Sequence, residues 1–394
     1  MKIDKIYVYP VKALRAAELE EVQVTKHGFP HDRRFMMLHV QQDANNNNTT
    51  TYKNIAVAHY PQSVFFFPTI NSAAGILTVT YKPPNSLSKS VDFPLAPHTD
   101  DLEVVEVTMH GSPTPAYKMP QEYNDWFSAC YGFDVILVYL GPHYRPVLMS
   151  TSPNVLRPFS KNDDNNNNNS SKSKSNNGWL SSLTSSLTPS FLTADSSSKS
   201  TKDEQLLTFN DCAPYLIAST KSMEDVTSRL PASEASHLDI IKFRPNIIIS
   251  GASEAWEEDF WSQLAIHSSS SSSAATSADT PSTTTTTLIE CIHNCGRCKS
   301  INIDYTTGAP GTTESGQLLK KLQRDRRVDA GVKYSPIFGR YAFLHEGSEG
   351  HVIRRGDEAE VSRRNVERTT FGKFLFISFF LFDWCFLACF LSYL

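Results

Sequence analysis

The sequence predicts a mainly β fold with a few helices (α+β), organised as barrel-like sheets. Many short stretches rich in β-branched and aromatic residues are bounded by turn residues, a pattern typical of strands. Helical patterns are fewer, and numerous short strands with few helices favour barrels. No glycine-rich phosphate-binding motif follows any predicted strand, so a nucleotide-binding βαβ unit has no support.

The predicted strands follow one another along most of the chain. They cover residues 2–11, 18–26, 33–40, 63–70, 75–81, 102–109, 133–140, 240–250, 287–293, 300–305, 339–346 and 351–362. The predicted helices cover residues 121–132, 219–230, 253–265 and 315–327. No internal repeat relates these elements to one another.

Three low-complexity tracts separate the predicted strands. They are the asparagine-rich residues 41–51, the long asparagine- and serine-rich residues 160–205, and the serine- and threonine-rich residues 267–287. None contains enough apolar side chains to offset the entropy lost on ordering, so we expect long disordered insertions. Each lies between strands, as expected for loops that have grown out of one scaffold.

Composition limits the classes of partner and compartment. With 394 residues the chain has room for two domains or for one large domain with insertions. A formal net charge of -4 gives no general reason to expect nucleic acid as a partner. The 7 cysteines are odd in number and unevenly spaced, which argues against a secreted disulfide framework and favours a reducing compartment.

The C-terminal segment 371–394 is apolar almost throughout and just long enough to cross a bilayer, which takes about 20 residues. Basic residues, including Arg363, Arg364 and Arg368, precede it, as expected for a tail anchor with a cytoplasmic-facing body. Against this, Asp383 near its middle costs roughly 2.5 to 3.5 kcal/mol on insertion scales. Two hypotheses therefore stand, a true membrane anchor or translated intron sequence.

The stretch CIHNCGRC, residues 291–298, holds three closely spaced cysteines. A zinc site is disfavoured because Cys291, His293 and Cys295 would share one strand face and tetrahedral closure would be awkward. A redox dithiol is disfavoured because a strand, not a helix, is predicted to follow. Two alternatives remain, small core residues at a turn or a single reactive thiolate with its pKa lowered by the neighbouring Arg297.

Polar residues elsewhere form two candidate cationic groups. In KFRPN, Arg244 and Asn246 are predicted on the same face of a strand end, where a guanidinium and an amide could meet an anion. In YPVK and HDRRF, Lys12 and Arg33 supply further positive charge near the N-terminus. Each of these residues could equally be an ordinary surface or ion-paired charge.

Three more residues stand at positions suited to a site. Asp211 and Cys212 follow the longest low-complexity tract and precede a strand, a placement typical of site residues. Tyr341 follows a glycine-centred turn in SPIFGRY and could be a core residue or a ligand contact. None of these signals is specific alone.

Taken together and in chain order, these blocks resemble the MOSC family. The matching blocks are YPVK, DRR, an acid before a strand, FRPN-IIISG followed by W-x-E-D-x-W, CxRC, D-x-x-TG, SPIFGRY and a closing GD-x-x-E-V. The order is similar to that of the mitochondrial amidoxime-reducing components. The resemblance implies a MOSC N-terminal β-barrel domain at residues 1–145 packed with a MOSC β-barrel domain at residues 206–363.

The resemblance also implies a molybdenum cofactor, Mo-molybdopterin, with Cys298 as the catalytic residue and metal ligand. A soft thiolate is what a dithiolene-bound molybdenum would accept. By the same resemblance, Asp211 is a catalytic acid close to the metal and a plausible proton donor. The expected cofactor-binding residues are Lys12, Arg33, Cys212, Arg244, Asn246, Gly296, Arg297 and Tyr341.

Two functional classes follow from the resemblance. The first is a molybdenum oxidoreductase that reduces small N-hydroxylated substrates of the amidoxime type, with electrons from a cytochrome b5-type partner and its reductase. The second is a non-catalytic cofactor carrier or a sulfur-transfer module like the C-terminal domain of molybdenum cofactor sulfurase. A true C-terminal anchor would attach the protein to an outer mitochondrial or endoplasmic reticulum membrane.

The chain departs from the family pattern at four positions. Ala13, Cys212, Ala213 and Gly296 stand where relatives often carry hydroxyl-bearing residues. Each lost hydroxyl would weaken a cofactor hydrogen bond by about 0.5 to 1.5 kcal/mol without removing the metal ligand. We therefore expect cofactor binding to survive and the substrate range to be less certain.

Overall fold

The computed structural model describes residues 1–43, 49–147, 206–269 and 284–371. It confirms the mainly β fold with few helices. The tract 160–205 lies outside the described residues, as does the C-terminal segment beyond residue 371. In the described parts of the chain, no helix is both long enough and apolar enough to span a bilayer.

The strands, in chain order, are β1 (Lys2–Val8), β2 (Ala17–Leu19), β3 (Glu21–Gln23), β4 (Phe35–Asp43), β5 (Thr49–Asn54), β6 (Phe66–Asn71), β7 (Ile76–Tyr81), β8 (Lys89–Pro94), β9 (Val104–Met109), β10 (Ser112–Lys118), β11 (Val135–Tyr139), β12 (Arg145–Pro146), β13 (Leu206–Leu207), β14 (Tyr215–Ser219), β15 (Ile247–Ser250), β16 (Trp261–Ser269), β17 (Thr284–Gly296), β18 (Ile303–Asp304), β19 (Ala309–Pro310), β20 (Ile337–Leu344), β21 (Val352–Arg354) and β22 (Glu358–Arg364). The α-helices are α1 (Gln121–Tyr131), α2 (Thr220–Ser228), α3 (Ala232–Ala235) and α4 (Leu318–Leu322).

The larger sheet closes into a barrel. Its strand order is β15-β14-β20-β17-β16-β22-β1-β2, and an additional pairing of β1 with β15 completes the ring. The barrel interior is filled by alternate apolar side chains, among them Ile6, Ile217, Ile249, Trp261 and Ile266. Burying each large aliphatic side chain contributes about 1.5 to 3 kcal/mol, so this interior accounts for much of the stability of the barrel.

The first strand of the chain belongs to this barrel. β1 pairs with β15, with Lys2 opposite Ser250 and Ile6 opposite Ile247. Beyond β1 the chain crosses to the second β unit, where Val11 forms a parallel bridge with Phe35 and the Lys12 amide donates to the Phe35 carbonyl at 2.8 Å. Lys12 therefore lies at the junction of the two units.

The second unit contains a five-stranded sheet, β5-β4-β11-β10-β9, and a three-stranded sheet, β6-β7-β8. Aromatic side chains from these sheets and from α1 share one core, including Phe35, Phe66, Phe93 and Phe127. Asn124 of α1 fixes the helix to its neighbours, since its side chain donates to the Met119 carbonyl at 2.9 Å and accepts from the Leu137 amide at 2.8 Å. α1 ends at Gly132, whose φ of 79° suits a left-handed cap.

The predicted helix at 253–265 is wrong. Residues Glu257–Phe260 form one short 3-10 helix and Trp261 begins strand β16, which pairs with β17 and β22. The apolar spacing suited a helix, but pairing on both sides, with Trp261 fully buried in the barrel, overrides that local preference. The helix predicted at 315–327 is also shorter than expected, because only Leu318–Leu322 is α-helical.

The W-x-E-D-x-W block of this segment has a structural explanation. Asp259 is fully buried and accepts from Arg326 at 2.8 and 2.9 Å and from Arg368 at 2.8 Å. Glu258 is also fully buried and accepts one hydrogen bond, from the Ser222 hydroxyl at 2.6 Å. Burial raises the pKa of Glu258 from 4.5 to about 7.

Two of the low-complexity tracts are ordered at their ends. Gln41, Gln42 and Asp43 pair with Thr51, Thr50 and Thr49 in the β4–β5 hairpin. His267–Ser269 likewise pair with Thr284–Thr286 in the β16–β17 hairpin. The expectation of disorder is therefore wrong at these edges, because β-branched threonines extend ladders that begin in the core. Residues 44–48 and 270–283 lie outside the described residues.

Candidate functional site

A cleft of about 390 Å³ lies where the barrel meets the second β unit. Lys12, Ala13, Arg33, Asn210, Asp211, Ala213, Leu216, Lys242, Phe243, Arg244, Asn246, Cys295, Gly296, Arg297, Cys298, Ser300 and Tyr341 line it from the barrel side and the junction, and Asn54–Ala58, Met109 and His110 line it from the second unit. Its lining includes five lysines and arginines against a single carboxylate. Such a cleft favours an anionic ligand.

A larger and more open groove of about 910 Å³ lies beside β1, α2 and α3. Its only lysine or arginine is Lys5, and it contains no cysteine. The chemistry indicated by the sequence blocks therefore lies in the smaller cleft.

Cys298 is the exposed cysteine of the cleft. Cys130, Cys212, Cys291 and Cys295, the other cysteines in the described residues, are all buried. Cys298 precedes the short 3-10 helix Lys299–Asn302, and its Sγ lies 3.3 Å from the Ser300 hydroxyl. The thiol is thus presented to the cleft, as a metal ligand or nucleophile would need to be.

The other cysteines of the CxxC stretch point elsewhere. Strand β17 carries irregularities between Cys291 and His293 and between Asn294 and Gly296. Cys291 packs in the barrel interior, whereas Cys295 lines the cleft, so the predicted common face of Cys291, His293 and Cys295 is wrong. In the described parts of the chain, no three His, Cys, Asp or Glu side chains come together as a metal-binding group.

Arg297 is fully engaged by backbone carbonyls. Its Nε donates to the Phe338 carbonyl at 2.8 Å, its Nη1 donates to the Phe243 carbonyl at 2.7 Å, and its Nη2 also donates to Phe338. Gly339 has a φ of 80°, and an added Cβ would come within 2.7 Å of the Ile217 carbonyl and 3.4 Å of Arg297 Nη2. Arg297 therefore braces the loop that carries Cys298. Its Nε, Nη1 and Nη2 atoms already donate to backbone carbonyls of the protein.

Gly296 lies directly before Arg297 at the end of β17. A Cβ there would meet Ser335 Cβ at 3.2 Å, so a serine at this position would require a small adjustment of its neighbour. The glycine leaves its backbone open to the cleft.

Arg33 is held between the two β units. Its Nη1 contacts Asp32 Oδ2 and donates to Asn246 Oδ1 at 3.0 Å, and its guanidinium lies 4.5 Å from the centre of the Tyr9 ring. Asp32 is fully buried and also accepts from the Tyr9 amide at 2.8 Å. Asp32 thereby fixes the direction of the Arg33 side chain.

The prediction that Arg244 and Asn246 share a strand face is wrong. Arg244 ends the 3-10 helix Ile240–Phe243 with a φ of 56°, and strand β15 begins only at Ile247. Arg244 Nη1 donates to the Leu14 carbonyl at 2.7 Å, while its guanidinium lies over the Tyr9 ring. Asn246 is 1% exposed, and its amide is committed to Arg33, Leu216 and Tyr7.

Lys242 is a cleft residue that the sequence interpretation missed, although it stands inside the KFRPN block. It is 7% exposed, its Nζ lies 5.5 Å from the centre of the Tyr305 ring, and burial lowers its pKa. Burial also lowers the pKa of Arg244. Within the described residues neither side chain forms an ion pair, so the cleft contains a buried lysine and a half-buried arginine without a carboxylate partner.

Asp211 forms an ionic cluster with Lys12 and His110. Its Oδ1 lies 2.7 Å from Lys12 Nζ and 3.2 Å from His110 Nε2. Burial opposes ionisation of Asp211, but Lys12 and His110 outweigh it and hold its pKa well below the usual value. An ionised carboxylate accepts a proton more readily than it donates one, so this direction of the pKa shift disfavours Asp211 as the proton donor, and that role stays a prediction. Burial lowers the pKa of Lys12.

Cys212 lies behind the cleft wall and does not line it. It is 6% exposed, and burial raises its pKa to about 12. The Tyr341 side chain interacts with both Cys212 and Cys295 and lines the cleft between them. Burial, followed by the adjacent thiols, holds the pKa of Tyr341 well above 10.

Arg145 is a second residue near the cleft that the sequence interpretation missed. It is buried and donates to the Thr208 and Asp211 carbonyls at 2.9 and 3.1 Å.

Comparison with known families agrees with this architecture. Residues 1–133 match the MOSC N-terminal beta barrel domain, and residues 204–360 match the MOSC domain. The chain therefore contains a MOSC N-terminal beta barrel domain and a MOSC domain, which confirms the resemblance found in the sequence.

The relatives found by sequence are amidoxime-reducing components. Mitochondrial amidoxime-reducing component 1 of Mus musculus is 21% identical over 359 residues, which cover 90% of this chain and 80% of the mouse protein. Mitochondrial amidoxime reducing component 2 of Bos taurus is 30% identical over 134 residues, 34% of this chain and 33% of the bovine protein. The match to component 1 of Homo sapiens is 28% identical over 155 residues and spans 37% of the human protein.

Proposed function

We propose that the chain is a molybdenum-dependent oxidoreductase that reduces N-hydroxylated compounds of the amidoxime type. Cys298 is the metal ligand, and electrons come from a cytochrome b5-type partner and its reductase. The matches to the two MOSC domain models and the names of the relatives support this proposal. The low identity to those relatives makes the cleft the more important support.

The single observation that carries the proposal is the pairing of an exposed thiol with uncompensated cations. Cys298 opens onto the same cleft as Lys242 and Arg244, which have no ion-pair partner in the described residues. A buried cation is costly unless an opposite charge compensates it. A pterin that carries a phosphate and a soft metal would compensate the cations with its phosphate and use the thiolate as a metal ligand.

The residues present fit such a cofactor. The Cys298 thiolate would hold the metal, and Arg33, Lys242 and Arg244 would hold the anionic organic part. When bound, the cofactor supplies a centre that accepts two electrons and passes them to the substrate. Arg297 braces the loop of Cys298, and Asp32 with Asn246 aims Arg33, so the chain fixes the positions of the binding groups beforehand.

The decisive experiment is Cys298→Ala in the full chain. We expect unchanged circular dichroism and unfolding midpoint, together with loss of bound molybdenum and of amidoxime reduction. Cys130→Ala, the same substitution in the core of the second unit, is the matched control. This variant should retain bound molybdenum and amidoxime reduction. Full reductase activity in Cys298→Ala would end the proposal.

Turnover separates the enzyme from a carrier or sulfur-transfer module. Wild-type protein loaded with cofactor should reduce an aromatic amidoxime over many cycles when supplied with reduced cytochrome b5. Tight cofactor binding without turnover would instead favour the carrier. Membrane attachment rests on the segment beyond residue 371, outside the described residues, and recovery of the full-length chain without detergent would contradict it.

A further inference from the structure

Reduction of an N–O bond requires protons inside the cleft. An amidoxime takes up two electrons and two protons, its N–O bond breaks, and the products are an amidine and water. The electrons come from the donor, one proton goes to the leaving hydroxyl to make water, and the other proton goes to the nitrogen. The need for a proton at the leaving oxygen rests on the proposed function. The question is which side chain of the cleft delivers that proton.

Two of the candidate groups are poorly suited. Asp211 is held ionised by Lys12 and His110, so it has no proton to give. Tyr341 is a weak acid because burial and the neighbouring thiols keep its pKa well above 10.

His110 has the required position. It occupies the turn between β9 and β10 and points into the cleft from the second unit, and its Nε2 lies 3.2 Å from Asp211 Oδ1. The turn is fixed from two sides, since Asn54 donates to the Thr108 carbonyl at 3.0 Å and Arg145 donates to the Met109 carbonyl at 3.4 Å. His110 adopts a φ of 52°, which is uncommon for a residue with a side chain.

The wall beside His110 suits an uncharged organic body. Ile55, Ala56, Val57 and Ala58 line the cleft from the same unit, next to Met109. These side chains are apolar, and two of them are alanines, in contrast to the cationic residues that line the cleft from the barrel side. The two halves of the cleft therefore favour different ligands, an anion on one side and an apolar substrate on the other.

We propose that His110, oriented by Asp211, is the catalytic residue that protonates the leaving hydroxyl of an N-hydroxylated substrate lying against Ile55–Ala58. Asp211 is then a positioning residue, and Lys12 keeps it charged. The imidazole gives its proton to the oxygen as the N–O bond breaks and water leaves. Solvent supplies the second proton to the amidine nitrogen and returns a proton to the ring. Imidazole is the side chain most often used for such transfer near neutral pH.

The test compares His110→Asn with wild type in the cofactor-loaded full chain. Asparagine tolerates the left-handed backbone and can still donate to Asp211, so the fold and the cleft should remain. We expect kcat for benzamidoxime to fall about 100-fold with little change in KM or molybdenum content, since general acid catalysis contributes roughly 10² to 10⁴-fold. His59→Asn, on the same unit but outside the cleft lining, should behave as wild type.

His110→Gly adds a rescue experiment, because glycine accepts this backbone without strain. Added imidazole should restore at least a tenth of the lost rate in His110→Gly and none in Cys298→Ala. Binding of the substrate beside His110 can also be measured without turnover. Benzamidoxime should protect His110, and not His59, from modification by diethyl pyrocarbonate, as measured by mass spectrometry.

The outcomes separate this inference from the proposed function. If wild-type protein with bound molybdenum reduces no amidoxime, the proposed function fails whatever His110 does. If wild type is active but His110→Asn keeps its kcat, or benzamidoxime gives His110 no protection, the role of His110 is overturned alone.

Discussion

The Arg33 guanidinium lies 3.0 Å from the Asn246 side-chain carbonyl, although the two residues are 213 positions apart in the chain. Asn246 also accepts from the Leu216 amide at 3.3 Å and donates to the Tyr7 carbonyl at 3.1 Å. One buried amide therefore joins the first strand, the cationic wall and strand β14. Its role is to hold the wall of the cleft together, and it presents little surface to a ligand.

Asn246→Ala should destabilise the protein by about 2 to 4 kcal/mol. The substitution leaves buried partners of Asn246 without hydrogen bonds, and each unsatisfied group costs about 1 to 3 kcal/mol. Urea unfolding followed by circular dichroism measures the loss. Asn71→Ala, at an exposed turn, is the control, and an equal effect of the two substitutions would contradict the role assigned to Asn246.

Lys242→Gln should separate stability from cofactor binding. Removing a buried, unpaired cation should stabilise the cofactor-free protein by about 1 kcal/mol, as often happens when a functional strain is relieved. The same variant should retain less molybdenum after purification. Lys221→Gln, which removes an exposed lysine paired with Glu224, serves as the comparison. Lower stability of the cofactor-free Lys242→Gln protein would contradict the prediction.

Among the cysteines of the described residues, Cys298 should react fastest with a thiol reagent in the cofactor-free protein. Only the thiolate reacts, and burial raises the pKa of Cys212 and of Cys291 to about 12 and that of Cys130 to about 11. Cys298→Ser should therefore remove one equivalent from the fast phase, as measured with Ellman's reagent. Cys212→Ser should leave that phase intact. An unchanged amplitude in Cys298→Ser would show that the thiol is not accessible.

Glu258 should make the stability of the protein depend on pH. Its folded pKa is raised from 4.5 to about 7, so its contribution is fully present below pH 4.5 and is lost as the pH rises through 7. The stability of wild type relative to Glu258→Gln should fall over this interval, by about 3 kcal/mol at most. Unfolding midpoints measured from pH 5 to 8 check the trend, with Glu106→Gln on the exposed face of β9 as control. A constant difference would contradict a neutral buried carboxyl.

Sequence blocks were sufficient to find the two MOSC domains and four of the five lysines and arginines that line the cleft. Cys298, Lys12, Arg33 and Arg244 could be selected because their motifs are short and keep their order along the chain. Lys242 and His110 could not, since a lone lysine or histidine has no signature until the fold brings it to a cavity. The signal for Lys242 was nevertheless present, two positions before Arg244.

Local conformation was harder to predict than chemistry. The segment 253–265 has the apolar spacing of a helix. Its second part nevertheless forms a barrel strand, because it pairs with β17 on one side and β22 on the other. The faces of Cys291 and Cys295 depend on strand irregularities, which alternation alone does not predict. Arg244 leaves the strand pattern through a left-handed backbone, which its residue type does not suggest.

The pairing of β1 with β15 and β22 has a consequence for biosynthesis. Residues 2–8 leave the ribosome well before their partners, residues 247–250 and 358. During elongation β1 can pair with β2, but the apolar side chains of Ile3, Ile6 and Val8 still lack the rest of the barrel that buries them, and they are exposed to aggregation or to a chaperone. The cleft, whose lining runs from Lys12 to Tyr341, can therefore be completed only after residue 341 has been translated.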